Sequence, residues 1–188
     1  MKTLTINDRT IKIRAFGRND VVAVGQFAAG LPAHDLLFLS RDIQHARVIE
    51  AWAQSIADGE IESLSALDGD KVVATTAIVR DPLSWSSHVA EIRLLVAPSV
   101  RGHGLGRLLL DGSIALAGER GATKLIARMT PDQKGAIALF EESGFRGEAM
   151  LRDHVRDRDG KVFDLAILAL DTRRARDSKA SWGFDTAN

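Results

Sequence analysis

The sequence predicts an α/β (α+β) fold, a mixed and mostly antiparallel sheet flanked by helices, and three observations carry that expectation. Strand-like and helix-like hydrophobic periods follow one another in the order β-α-α-β-β-β-α-β-α-β-β, a sequence of elements that a layered sheet and its covering helices accommodate. The Asp68-Gly69-Asp70 turn between two apolar runs is the local signature of an antiparallel hairpin. Residues 89–129 read strand, glycine turn, helix, strand, a crossover that must set its two strands parallel.

Each element has its own pattern. Ile11, Ile13 and Ala15 alternate with polar Lys12 and Arg14 in a half-buried strand ended by Gly17. Asp20 can cap a helix carrying Val21, Val24, Phe27 and Ala28, which closes near Gly30-Leu31-Pro32. Residues 34–40, apolar at Leu36, Leu37, Phe38 and Leu39, suit either a short helix or a substrate-side loop. Ser40-Arg41-Asp42 then introduces a helix reaching Ile56, with Ile43, Val48, Ile49 and Trp52 near one face. Residues 60–67 and 71–80 are the arms of the hairpin, residues 81–87 form a loop, and residues 89–97 return antiparallel to 71–80. Pro98 stops that strand. A helix from Arg107 carries Leu108, Leu109, Ile114, Ala115 and Leu116 and ends between Gly118 and Gly121. Residues 123–129 are the next strand, Pro131-Asp132 opens a helix through Glu142, and Gly144 stops it. Residues 145–150, the region of Val155, and residues 161–170 supply the last strands around a turn at 157–160. Residues 172–188 are polar and without period, which predicts a mobile tail after a single domain spanning residues 1–171.

Composition narrows the function. With 188 residues, 45% of them apolar, the chain suits one domain with a sizeable core. Twenty-five basic residues balance twenty-five acidic ones, so no overall field draws it to nucleic acid or to an anionic membrane. The absence of cysteine removes disulfides, thiol nucleophiles and thiolate metal sites. No apolar run approaches a signal core or a membrane span, and the expectation is a soluble cytoplasmic protein. His34, His45, His88, His103 and His154 show no metal-binding spacing, so no metal is expected.

The informative stretch is the turn Arg101-Gly102-His103-Gly104-Leu105-Gly106-Arg107 between strand and helix. Unpaired backbone N–H groups at a helix N-terminus attract anions, and glycines let a phosphate approach them closely. A Walker loop is excluded, because Gly106 is followed by Arg107 and Leu108 rather than Lys-Ser/Thr. A dinucleotide fingerprint fails by one residue, since the glycines stand at 102, 104 and 106.

Arg101-x-x-Gly104-x-Gly106, after a strand ending Leu-Leu-Val-Ala-Pro, resembles the acyl-CoA pyrophosphate motif of the GNAT superfamily of N-acyltransferases. Gln133-Lys134-Gly135-Ala136-Ile137-Ala138-Leu139-Phe140-Glu141-Glu142-Ser143-Gly144-Phe145 resembles that family's second signature, Asn-x-x-Ala-x-x-Leu-Tyr-x-x-x-Gly-Phe. The resemblance covers about residues 10 to 170 and is loosely similar to the protein-lysine acetyltransferase branch. It implies the GNAT fold, with splayed central parallel strands (89–97 and 123–129) that hold the pantetheine of acetyl-CoA in their gap. Leu94, Leu95 and Val96 would offer their backbone to pantetheine, with a β-bulge near Leu94–Leu95 that frees an N–H for the thioester carbonyl. Arg101, Gly102, His103, Gly104, Leu105, Gly106 and Arg107 would hold the diphosphate. Gln133, standing where the family has Asn, would bond pantetheine, and Phe140 takes the place of the family's tyrosine.

Glu91, on the strand lining the acyl site where several relatives place a glutamate, is the candidate general base for the attacking amine. The same spacing also fits a solvated carboxylate that faces out beside Arg93, its i,i+2 neighbour on the same strand face. The chain contains no tyrosine, so the family's usual acid for the departing thiolate is missing. Phe27, Leu36, Phe38, Trp52 and Trp85 are the candidates to line an acceptor pocket, with core packing the alternative for most of them and Phe38 and Trp85, both in loop-like segments, the foremost. The predicted activity is direct transfer of an acetyl group from acetyl-CoA to a primary amine of a protein lysine or a small molecule, in a protein that can form a homodimer. A non-catalytic acyl-CoA-binding regulatory module is the alternative.

Overall fold

The computed structural model describes residues 2–173. Nine strands form one sheet in the order β1-β2-β4-β5-β6-β7-β9-β8, with the two-residue β3 (Ile61–Glu62) paired to β5. The strands on that path are β1 (Lys2–Ile6), β2 (Arg9–Ala15), β4 (Leu64–Asp68), β5 (Lys71–Val79), β6 (Val89–Val96), β7 (Lys124–Met129), β8 (Arg146–Arg156) and β9 (Val162–Asp171). Every pairing is antiparallel except β6–β7. Helices α1 (Val21–Ala29) and α2 (Ala46–Ala57) cover one face, and α3 (Leu105–Glu119) and α4 (Lys134–Glu142) cover the other.

Alternation along each strand explains the layering. Ala90 and Ile92 of β6 point toward α3 and α4, where they join Leu110, Ala117, Leu125, Phe140 and Phe145. Leu95 points the other way and packs with Phe16, Val24, Phe27, Ile49 and Leu165 under α1 and α2. A third cluster places Leu105 and Leu109 of α3 on Ile6, Ile11, Ile13 and Ala66 at the β1 end of the sheet. Among the described residues no helix is long and apolar enough to cross a membrane.

Several local expectations are corrected. The chain opens with a strand that the alternation did not disclose: β1 pairs with β2 through Asn7 and Asp8, both in the left-handed region (φ 46° and 62°). Asp20 stands at the N-cap of α1 but does not bond its amides. Its carboxylate instead accepts from Gly17 N and from both Nη atoms of Arg14. Helix α2 begins at Ala46 rather than Ser40, because Asp42 accepts from Gln44 N and Arg158 and closes a turn there. Helix α3 starts two residues earlier than predicted, at Leu105. The predicted break between the last strands is one long strand, β8. Thr172 is anchored: it is buried, and its N–H donates to Thr123 O at 3.0 Å. The rest of the predicted tail, residues 174–188, lies outside the described residues.

Candidate active site

The parallel ladder between β6 and β7 is short. Val89, Ala90 and Glu91 pair with Lys124, Leu125 and Ile126, and there the pairing ends. From Ile92 to Val96, β6 remains paired on its β5 side while its other edge has no partner strand. This is the expected splay, and it leaves main-chain groups of Leu94, Leu95 and Val96 facing a gap. The β5–β6 register runs unbroken from Val79↔Glu91 to Ala74↔Val96, so the bulge expected near Leu94–Leu95 is absent; a register shift occurs instead between β4 and β5 at Ala66/Leu67.

The glycine turn closes one end of that gap. Gly102 and Gly104 have φ values of 79° and 81°, a conformation that costs any residue with a Cβ, and an added Cβ at either would meet no protein atom within 4 Å. Gly104 is the N-cap of α3, and the first N–H groups of this 15-residue helix have no intrahelical acceptor. Gly106 serves a different purpose: inside the helix, its Cβ would come within 3.2 Å of Leu139 Cδ2, so its smallness brings α3 close to α4.

The two arginines of the turn are already engaged. Arg101 donates to Asp35 Oδ2 at 2.6 Å and to the Val96 carbonyl at 3.0 Å, while Arg107 reaches Glu142 at 3.3 Å and Asp111 at 3.6 Å. His103 is exposed. An anion approaching this turn would meet free amides first and guanidinium groups shared with carboxylates second.

Glu91 is 8% exposed, and both of its oxygens are held by Arg93, Nε donating to Oε1 at 3.0 Å and Nη2 to Oε2 at 3.1 Å. Arg128, from β7, brings its Nε to 3.9 Å from Oε1, and that Nε has no hydrogen-bond acceptor. Sequence spacing placed Arg93 on the same strand face as Glu91, but the expected alternative of a solvated, outward-facing carboxylate is corrected by its burial, and Arg128 arrives only through the β6–β7 seam. Gln133 caps its own loop, accepting from Thr130 N at 3.2 Å, which leaves its amide NH₂ free. Phe140 is buried edge-on against Phe145, with ring centroids 5.0 Å apart.

On the Glu91 face, a cavity of about 580 Å³ opens under residues 81–83. Arg93 and Leu95 form part of its floor, with Thr75 and Ala77 of β5. Trp52, Ile43 and Leu39 line its side, and Arg41 and Arg80 stand at its rim. Of the candidate pocket aromatics the cavity takes Trp52, while the two foremost candidates do not line it: Phe38 is buried in the core and Trp85 is fully exposed. Trp52, on α2, also packs tilted against Phe16, with ring centroids 4.9 Å apart.

A strand that parts from its parallel neighbour beside a glycine-capped helix can hold an extended acyl carrier on one side of β6 and an acceptor on the other. Comparison with known proteins agrees with this geometry. The model of the Acetyltransferase (GNAT) family matches residues 33–145. The chain belongs to the GNAT family of acetyltransferases. Members of this family are acyltransferases that take acetyl-CoA as co-substrate.

Among GNAT relatives, the chain is 34% identical over 79 residues to YwnH, a candidate phosphinothricin acetyltransferase of Bacillus subtilis (strain 168). That match covers 42% of this chain and spans about half the length of the relative (48%). The GNAT fold is shared with the ribosomal-protein-alanine N-acetyltransferase of Brucella melitensis, at a TM-score of 0.73 and 23% identity over 85% of this chain and 99% of that one. It is shared equally with YncA of Salmonella typhimurium, solved with acetyl-CoA, at a TM-score of 0.73 and 20% identity over 86% and 93% of the two chains.

Proposed function

We propose that this GNAT protein is a cytoplasmic N-acetyltransferase that moves the acetyl group of acetyl-CoA directly to the primary amine of a small acceptor carrying an acidic group. The observation that carries this reading is the double use of β6: its unpaired edge faces the gap beside the glycine turn, while its Arg93 and Leu95 side chains line the cavity. Donor and acceptor would thus meet across one strand. The diphosphate would rest on the amides of Gly102 to Arg107, and pantetheine along Leu94, Leu95 and Val96, with Gln133 within the same cleft. The amine attacks the thioester carbonyl, Glu91 takes its proton, and coenzyme A leaves as the C–S bond breaks. With no cysteine in the chain, transfer does not pass through a thiol acyl-enzyme.

The cavity supports this acceptor class. Its volume suits a small molecule and its walls are largely apolar. Arg41, Arg80 and Arg93 line it beside Glu60 and Asp81. Since Arg93 is held by Glu91 and Arg80 donates to the Arg120 carbonyl, Arg41 is the arginine that would meet an acidic group. The name of YwnH points the same way, since phosphinothricin is an amine bearing acidic groups. The test is thiol release from acetyl-CoA in the presence of phosphinothricin, other amino acids, spermidine, an aminoglycoside and a lysine peptide. Release stimulated by the acidic amines supports the reading. Stimulation by the lysine peptide alone would move the acceptor to protein, and tight acetyl-CoA binding with no acceptor-dependent release would leave only a regulatory binding module.

A further inference from the structure

Resting on the acetyl-transfer reading above, one proton remains without a donor. When the C–S bond breaks, sulfur takes the electron pair, and the chain has no tyrosine to protonate it. Two side chains of the second signature are unfit for the task. Phe140 carries no proton to give, and Ser143 Oγ already donates to the Leu139 carbonyl at 3.0 Å.

His34 spans the mouth of the same cleft. It belongs to the 3-10 turn Ala33–Leu36, and its Nε2 lies 2.9 Å from Asp132 Oδ2 and 3.4 Å from Thr130 Oγ1. Carrying the parallel β6–β7 register past its last pair sets Thr130 level with Leu95 on the opposite side of the gap. The neighbouring Asp35 holds Arg101 at 2.6 Å, beyond the end of β6. The turn therefore bridges the two separated strand ends.

The ring is held on two sides. It packs edge-on against Phe163, with centroids 5.0 Å apart, and Lys161 caps the Phe163 ring at 4.7 Å. Nδ1 has no partner among the described residues, whereas Nε2 faces Asp132. Hydrogen bonding from Thr130, with a smaller contribution from His34, holds the Asp132 carboxyl below the usual carboxylate range, so a negative charge stands ready beside the imidazole. The charged groups around the ring are Asp132 from the β7–α4 loop, Lys161 beyond Phe163, and the Asp35–Arg101 pair on its own turn. The other four histidines, His45, His88, His103 and His154, are exposed.

We propose that His34, oriented by Asp132, is the general acid that protonates the departing coenzyme A thiolate. As the tetrahedral intermediate collapses, the carbonyl re-forms, the C–S pair passes to sulfur, and the Nδ1 proton of the imidazolium becomes the S–H proton. The ring is left neutral, with its Nε2–H on Asp132, and recovers a proton from water at its partly exposed edge. The proton lost by the amine leaves separately through Glu91.

The test follows thiol release from acetyl-CoA, with phosphinothricin and with water alone as acceptor, because sulfur must depart in both. H34Q should lower kcat by about 10²–10³-fold, the usual yield of a positioned acid, with the KM for acetyl-CoA nearly unchanged. The alkaline limb of the kcat–pH profile should vanish in H34Q. D132N should lower kcat less than H34Q does, with the KM for acetyl-CoA nearly unchanged, because the ring remains but loses the carboxylate that orients it. Imidazole in the buffer should restore part of the rate to H34A. An H34Q rate and pH profile like those of the wild type overturns the assignment while acetyl transfer stands, as does a loss confined to KM or to Tm. A wild-type protein that binds acetyl-CoA but releases no thiol with any acceptor overturns the acetyl-transfer reading and this inference with it.

Discussion

Gly104→Ala separates the two things the glycine turn is asked to do. The new methyl meets no protein atom within 4 Å, so its only cost to folding is holding a non-glycine residue at φ 81°. That conformation costs an L-residue about 1–2 kcal/mol. In a chain of this length, Tm should fall by about 2–8 °C, taking about 2–4 °C per kcal/mol. Gly69→Ala supplies the control, because Gly69 has φ 60°, also has open space around it, and lies in the β4–β5 turn rather than at the N-terminus of α3. Both variants should lose similar stability in thermal melts. Only Gly104→Ala should lose acetyl-CoA affinity by isothermal titration, by at least about ten-fold, or 1.4 kcal/mol, because its methyl enters the space the diphosphate needs above the free amides. Equal affinity in the two variants, whatever their Tm, would refute the phosphate assignment.

Two further predictions test other parts of the account. Glu91→Gln should reduce kcat by about 10²–10³-fold at neutral pH and leave acetyl-CoA affinity nearly intact, measured by thiol release and titration on the same preparation; a fully active variant removes Glu91 from proton transfer. Asp20 is nearly fully buried and bidentate to Arg14 at 2.6 Å, and that hydrogen bonding holds its carboxyl below the ordinary range. The native state then binds fewer protons than the unfolded chain, whose aspartates titrate near pH ~3.9. The stabilisation is present above that value and disappears as pH falls through the folded one. Asp20→Asn should cost about 1.5–3 kcal/mol in urea melts at pH 7, and the gap to wild type should shrink at pH 3; a gap that does not change with pH contradicts this origin.

What could be read from the chain, and what could not, divides by range. The crossover, the glycine turn and the β4–β5 hairpin were legible because a few neighbouring residues dictate them: Gly104 must supply a positive φ, and Asp68-Gly69 closes a tight turn. The β1–β2 hairpin escaped because Asn7 and Asp8 reach positive φ without a glycine to announce it. Residues 34–40 suit a helix or a loop equally and Ser40-Arg41-Asp42 reads as a helix start, yet Phe38 is drawn into the core and Asp42 is claimed by Arg158, 116 positions away. Contacts of that span have no local signature. The site divides in the same way. Glu91 and Arg93 sit two apart on one strand face, so their adjacency was legible, but the burial that turns them into a bidentate pair was not. Arg128 joins them only through the β6–β7 seam. His34 reaches Thr130 across 96 positions, and a lone histidine in an apolar stretch gives no sign of it.

The central claim is that the gap left where β6 parts from β7 is the cofactor site, and a crystal structure with coenzyme A tests it most directly. Bound coenzyme A should place its diphosphate on the amides of residues 102–107, its pantetheine along the unpaired edge of Leu94 to Val96, and its sulfur between that edge and His34. Coenzyme A bound elsewhere, with the β6 edge still unpaired, would contradict it.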